Sequence, residues 1–445
     1  MTFPRSLAFG LAGAVLASAA LRTAGQLPTA AEHETIAYSA TAPDDAVARL
    51  QKRIDAGEVT LAHDANRGYL PAVLRALDIP VESQTLVFSR TSFQVDRIAP
   101  WSPRALYFND DVYVGWVQNG PVMELAAMDA KLGAVFYTLA QDARERPAFR
   151  RETSTCLLCH DSSSTTGGVP GLVVRSILPD RYGYTITAPK GGVTTDQTPI
   201  EDRWGGWYVT GRMPGQRHFG NLMAPMLAHE VGNVKNYLAT LDLTAGANVT
   251  SLDGRFDAEP YLSPHSDVVA LLLLTHQSFV HNVMTGANYE TRRAMYDDEG
   301  LRRSTGRQTD GLLEATTMRV NGAADRLLRA MLFSREAPLA GRVSGTTPFA
   351  ARFSARGPFD RRGRSLRQLD LETRLFRYPL SYLIYSEQFD RLPAELKTAF
   401  YRRLGEVLTG RDQSKDFAHL SADDRQAILE ILRDTKPEAA LGAGL

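Results

Sequence analysis

Hydrophobic and polar positions change rhythm twice along this chain, and the changes divide it. Between Asp44 and Gly57 the apolar residues recur every three or four positions, the spacing of one helix face. Asp44-Asp45 is placed to cap that helix and Gly57 to stop it. A second short helix is predicted from Tyr69 to Leu77. From residue 83 to 140 the period falls to that of strands. Thr85–Phe88, Ala105–Phe108, Val112–Val117, Val122–Ala127 and Ala134–Leu139 read as a small antiparallel meander. Asn109-Asp110, Asn119-Gly120-Pro121 and Asp129–Gly133 supply its turns. Further strand is predicted at Leu172–Ile177 and Trp207–Thr210.

After about residue 263 the pattern is helical. Ser263-Pro264 has the form of an N-cap with proline at the first helical position. The helix it opens is predicted from His265 to Thr285, ending at Gly286. Its Leu271-Leu272-Leu273-Leu274 run is apolar on every side, so it belongs in a core. Other helices are predicted at about 288–299, 310–333, 379–389, 393–409 and 421–434, the last opened by a capping-box pair, Ser421 and Asp424.

The N-terminus reads differently. Arg5 precedes an apolar run from Leu7 to Ala20 that holds Ala17-Ser18-Ala19, the form of a bacterial secretory signal over residues 1–26. The run is shorter than the roughly 20 residues a membrane-spanning helix needs. Cleavage and a periplasmic or otherwise exported chain are therefore expected, with anchoring by an uncleaved N-terminus as the alternative. No other stretch reads as a membrane span. Residues 27–43, rich in Ala, Thr, Pro and Glu, read as a linker. A mixed α/β region then covers 44–262, and a helical region packing on it covers 263–445.

Composition narrows little. The formal net charge of zero gives no global attraction to nucleic acid or an anionic membrane. The two cysteines say far more. Cys156 and Cys159 stand in Thr155-Cys156-Leu157-Leu158-Cys159-His160-Asp161, a C-x-x-C-H sequence, the attachment pattern of a c-type haem. On a helical turn, positions i, i+3 and i+4 share a face. Two thioethers can then clasp one haem edge while His160 reaches the iron. A redox dithiol, half a zinc site and a plain disulfide are the rival readings. Zinc lacks a second pair of cysteines here, and Thr153-Ser154-Thr155 is not the apolar strand that precedes a thioredoxin-like motif. The expected cofactor is one covalent haem c, and the expected fold is α+β, with a strand-rich part leading into the haem helix and a mainly helical C-terminal half.

The sixth iron position separates an electron carrier from a catalyst. His276 and His218 are candidate distal ligands, beside His281, Met213, Met223, Met226 and Met284; an open site is the alternative. His276 and His281 stand about 140° apart around a helix and cannot share one metal. Trp204 and Trp207 are candidate haem-packing aromatics, and Arg203 and Arg175 candidate propionate partners. Each also has an ordinary reading as core or surface residue. The arginine-rich stretch from Arg352 to Arg377 reads as a solvated loop or a docking face for an acidic redox partner. Zincin, nucleophile-elbow, phosphate-loop and dinucleotide patterns are missing.

These residues together resemble a family of exported bacterial proteins described only as cytochrome c domain-containing. The likeness runs through Ala105-Leu106-Tyr107-Phe108-Asn109-Asp110, the Cys156–His160 motif with Gly168-Val169-Pro170-Gly171, and Arg203–Gly211. It continues in His218-Phe219-Gly220-Asn221, Thr275-His276-Gln277 to His281-Asn282, Glu372–Glu387 and Ala418–Lys436. The resemblance implies haem binding and electron transfer, and names no substrate or sixth ligand. The expected function is thus one-electron transfer with a redox partner protein or a small-molecule donor or acceptor. A haem enzyme with an open sixth site, peroxidase-like or oxidising a small molecule, and a gas-binding or sensing module are the alternatives.

Overall fold

The computed structural model describes residues 29–188, 191–306 and 311–442, so the predicted signal peptide lies outside the described residues. Helix α1 (Ala46–Asp55) starts where the cap was predicted, with the Asp45 carboxylate accepting from the Val47 and Ala48 N–H groups. Helix α2 follows at Leu70–Ala76. Strands β1 (Thr85–Val87), β2 (Arg104–Phe108), β3 (Val112–Trp116), β4 (Val122–Asp129), β5 (Gly133–Ala140) and β6 (Phe149–Glu152) form the predicted meander. The one-turn helix α3 (Leu157–His160) comes next, followed by the small pair β7 (Leu178–Pro179) and β8 (Thr185–Thr187). Strand β9 (Trp207–Tyr208) then returns to pair with β1, giving a seven-stranded antiparallel sheet ordered β6-β5-β4-β3-β2-β1-β9.

The sheet alternates sides in register. Phe108, Tyr113, Ala126 and Phe136 are cross-strand partners in one row. They face a core built with Leu271–Leu274 and the C-terminal helices. Tyr107, Val114, Leu125 and Tyr137 alternate with them and face a second core closed by α1 and α2. The chain is α+β, as predicted. Beyond the sheet come α4 (Val234–Ala239), α5 (Val268–Thr305), α6 (Glu314–Met331), α7 (Phe349–Ser354), α8 (Glu387–Asp390), α9 (Ala394–Leu408), α10 (Ala422–Thr435) and α11 (Pro437–Gly442). Strands β10 (Gly211–Arg212) and β11 (Ser344–Gly345) pair apart from the main sheet.

Several boundaries differ from the predicted ones, for physical reasons. Helix α5 is capped by Asp267, not Ser263: one carboxylate oxygen accepts from Val269 N–H, and the other takes the Thr346 and Thr347 N–H groups. It also runs straight through Gly286 to a left-handed cap at Gly306. An internal glycine costs about 1 kcal/mol against alanine. Full burial of a single leucine returns roughly 1.5–3 kcal/mol, and Leu271 to Leu274 are all at most 4% exposed. Past the glycine, Asn288 and Tyr289 bond the backbone of the β4–β5 turn, which carries the helix on. By length and composition α5 is also able to cross a membrane, but 83% of its most apolar window is buried inside the protein.

The expected linker is packed where it is described: Ile36 and Tyr38 are buried, and the Tyr38 hydroxyl donates to Ala134 O. Its isolated apolar residues belong to the α1 core, which composition alone does not reveal. Residues 172–177 contribute only a bridge between Arg175 and Val193. The predicted helix over 379–389 is a short 3-10 turn, Tyr382–Tyr385, followed by α8. Strand β6, with Arg150, Arg151 and Glu152, has too little apolar alternation to be read in advance.

Candidate functional site

Helix α3 is a single turn held by the His160 N–H donating to Cys156 O at 3.0 Å. Both cysteines are free thiols; Cys159 is exposed and Cys156 half-buried. Burial pushes the Cys156 thiol up to about 11, and the nearby Glu152 and Glu124 carboxylates push the same way. The motif is anchored through its tail. Gly171 N–H donates to His160 O at 2.8 Å, and Gly171 O accepts from His160 Nδ1 at 2.8 Å. Asn282 on α5 clamps the next residue, taking Leu172 N–H at 2.8 Å and donating to Leu172 O at 2.7 Å. A Cβ at Gly171 would lie 2.4 Å from the Asn282 amide oxygen, so the approach requires glycine there. Pro170 O accepts from Ala134 N–H, stitching this loop to β5.

The His160 ring rests on Phe136, centroids 4.7 Å apart. Burial holds its pKa below the usual histidine value, so the imidazole is neutral near pH 7. With Nδ1–H given to Gly171 O, the lone pair sits on Nε2, for which no described residue supplies a hydrogen-bond partner. A backbone carbonyl on one ring nitrogen and a free lone pair on the other is the arrangement of a metal-binding histidine. Beside it, Leu158 is 82% exposed, an apolar side chain with nothing over it. Two free thiols, an available imidazole nitrogen and uncovered apolar surface on one turn fit a covalently attached haem. They do not fit a closed zinc site, since among the described residues no cluster of three metal-ligating side chains occurs.

The sheet next to this turn is only partly covered. Leu106, Glu124 and Thr138 are half-buried, whereas Phe108, Tyr113, Ala126 and Phe136 in the neighbouring row are shielded by α5. Arg104 crosses over Gly115, which has no side chain in its way, and pairs with Glu124. Both charges act on His160 and on Cys156. Sequence reasoning missed this pair. Its only trace was one charged residue beside each apolar run, Arg104 ahead of Ala105–Phe108 and Glu124 within Val122–Ala127.

The other sequence candidates are brought together elsewhere. His276 is fully buried, with Nδ1 at 2.9 Å from Asp196 Oδ2 and Nε2 at 2.9 Å from Ser381 Oγ. Both ring nitrogens have protein partners, so an iron bond would need one of them to let go. Arg203 is buried on the same loop and donates to Thr198 O and Asp196 O, both at 2.7 Å. It therefore braces that loop, and no propionate is needed to satisfy it. His218 stands edge-on to Trp204 at 5.1 Å, with Nδ1 buried and unpartnered. Trp207 is buried in the core, in register with Val87 and Arg104, its Nε1–H donating to Arg175 O. His281 is engaged by Gln388 and Asp110 O, and Met213 and Met284 are core residues. In the arginine-rich stretch Arg361, Arg362, Arg364 and Arg374 are paired with acids of α10, which neutralises much of it.

No family profile, curated protein or solved structure matches this chain.

Proposed function

We propose that this chain is an exported c-type cytochrome that carries one haem on Cys156 and Cys159, with His160 as proximal iron ligand, and passes single electrons to a redox partner. The observation that carries the reading is the His160 tautomer: Nδ1 is tied to Gly171 O and Nε2 is free. When bound, the haem supplies an iron centre that cycles between two oxidation states. The chain's own residues do the rest. Gly171 holds the ring proton, Asn282 fixes the loop that presents Gly171, and Phe136 limits rotation of the imidazole. Exposed Cys159 and Leu158 leave the edge of the motif open to a partner. Export rests on the N-terminal sequence and on the resemblance described above.

Protein made in a host competent for haem maturation is expected to carry one haem in its intact mass and to give a pyridine haemochrome. The C156A/C159A variant should lose both. A bare peptide mass from the unaltered chain overturns the proposal. One observation favours a second reading, a haem enzyme with an open sixth position: the strongest helix-borne ligand candidate, His276, is engaged at both nitrogens. Binding of carbon monoxide by the reduced protein selects that reading, and a low-spin iron inert to it selects the carrier.

A further inference from the structure

Strand register places the Arg104–Glu124 pair beside the motif. Glu124 on β4 is the cross-strand partner of Thr138 on β5, and Phe136 stands two positions before Thr138 on the same face. Diagonal neighbours of that kind are about 7–8 Å apart. Phe136 carries the His160 ring at 4.7 Å between centroids. Glu124 thus stands roughly 12 Å from the imidazole.

The two charges are fixed in place and depend on each other. Gln94 Nε2 donates to Glu124 Oε1 at 3.0 Å, and Ser92 Oγ lies at 3.4 Å. Arg104 reaches the same carboxylate from β2 across Gly115, where any Cβ would collide with the guanidinium. Its Nε is buried without a partner, and among the described residues no other acid pairs with Arg104. The Arg104 and Glu124 side chains are 18% and 16% exposed, so water and salt screen them weakly. Stability alone does not explain a pair so placed, since well-packed apolar residues in such a site are often at least as stable. An effect on the iron does. Oxidation adds one positive charge to a haem. A lone carboxylate nearby stabilises the oxidised state, a lone guanidinium the reduced one, and the two together favour neither.

Resting on the haem reading, we infer that Arg104 and Glu124 set the reduction potential of that haem by cancelling each other's charge beside His160. The parent protein, Glu124→Gln, Arg104→Met and R104M/E124Q are purified with haem attached and titrated spectroelectrochemically through the Soret and α bands. Glu124→Gln should raise the potential and Arg104→Met should lower it. Each shift should be about tenfold in the oxidised-to-reduced ratio at a fixed applied potential, or about 59 mV for one electron. That is the scale of one unit charge over such a distance at an effective dielectric of about 20. The double variant should return to the parent value. Glu124→Gln keeps the shape of the carboxylate and one acceptor oxygen, so its rise decides the matter if Arg104→Met does not mature. A merely structural role would move both single variants the same way or not at all. Either result, or a double variant displaced as far as a single one, overturns the inference while the haem reading stands. A parent protein with no pyridine haemochrome overturns the haem reading, and the inference with it.

Discussion

Replacing His218 by phenylalanine should remove an acid sensitivity built into the fold. The ring is 1% exposed, stands edge-on to Trp204 and has a sealed, unpartnered Nδ1. Burial pushes its pKa from 6.5 down to about 4. In the native protein the ring therefore stays neutral until about pH 4, while the unfolded chain takes up a proton below 6.5. Stability from this group is complete above that upper value and is lost as the pH falls toward the lower one. Each pH unit inside the window removes about 1.4 kcal/mol, so about 2 kcal/mol is gone near pH 5. Phenylalanine keeps the ring and cannot titrate. Urea unfolding followed by tryptophan fluorescence, at about pH 8 and about pH 5, should show the parent losing about 2 kcal/mol more than His218→Phe. Equal losses in the two proteins would refute the buried neutral imidazole. The same variant should leave the Soret band of the haem-loaded protein unmoved; a moved band would bring the iron to this histidine.

Asn282→Leu removes both hydrogen bonds to Leu172 and strands a buried N–H and C=O, at a cost of about 2–4 kcal/mol. Chemical denaturation measures the loss, and faster amide exchange at Gly171 and Leu172 would locate it. Asp267→Ala uncaps α5 and releases the β11 loop, with an expected cost of about 2–4 kcal/mol by the same measurement. Glu124→Leu should cost about 2 kcal/mol or more, because it leaves the half-buried Arg104 unpaired. The double variant R104M/E124L should recover most of that loss; a double variant no better than the single one would show that the pair does not act as a unit.

The antiparallel meander was legible because strands β2 to β5 bury both faces, each against a different core, so each is a short, largely apolar run bounded by turn residues. The start of α1 was legible because Asp45 caps it with its own side chain. Helix α5 was misjudged at both ends. Its cap depends on Thr346 and Thr347, which bond Asp267 from about eighty positions away, and its passage through Gly286 depends on partners in the β4–β5 turn. The polar candidates turn on a related point. Histidine and arginine on apolar elements have a partner, and the sequence does not say whether it is a cofactor or the protein. For His276 and Arg203 it is Asp196, on a loop whose position only the fold supplies.

From its residues alone this chain determined the C-x-x-C-H motif, since a thiol pair and an imidazole on one turn are set by local geometry and need nothing distant. The sequence also determined that a strand-rich part precedes a mainly helical C-terminal half, because burial imposes a different spacing of apolar residues on strands and on helices. Tertiary structure decided the rest: which nitrogen of His160 is free, which charges stand beside it, and which histidines are already taken. Those are matters of contact between segments far apart in the chain, and hydrogen bonds of that kind leave no periodic trace in the order of residues.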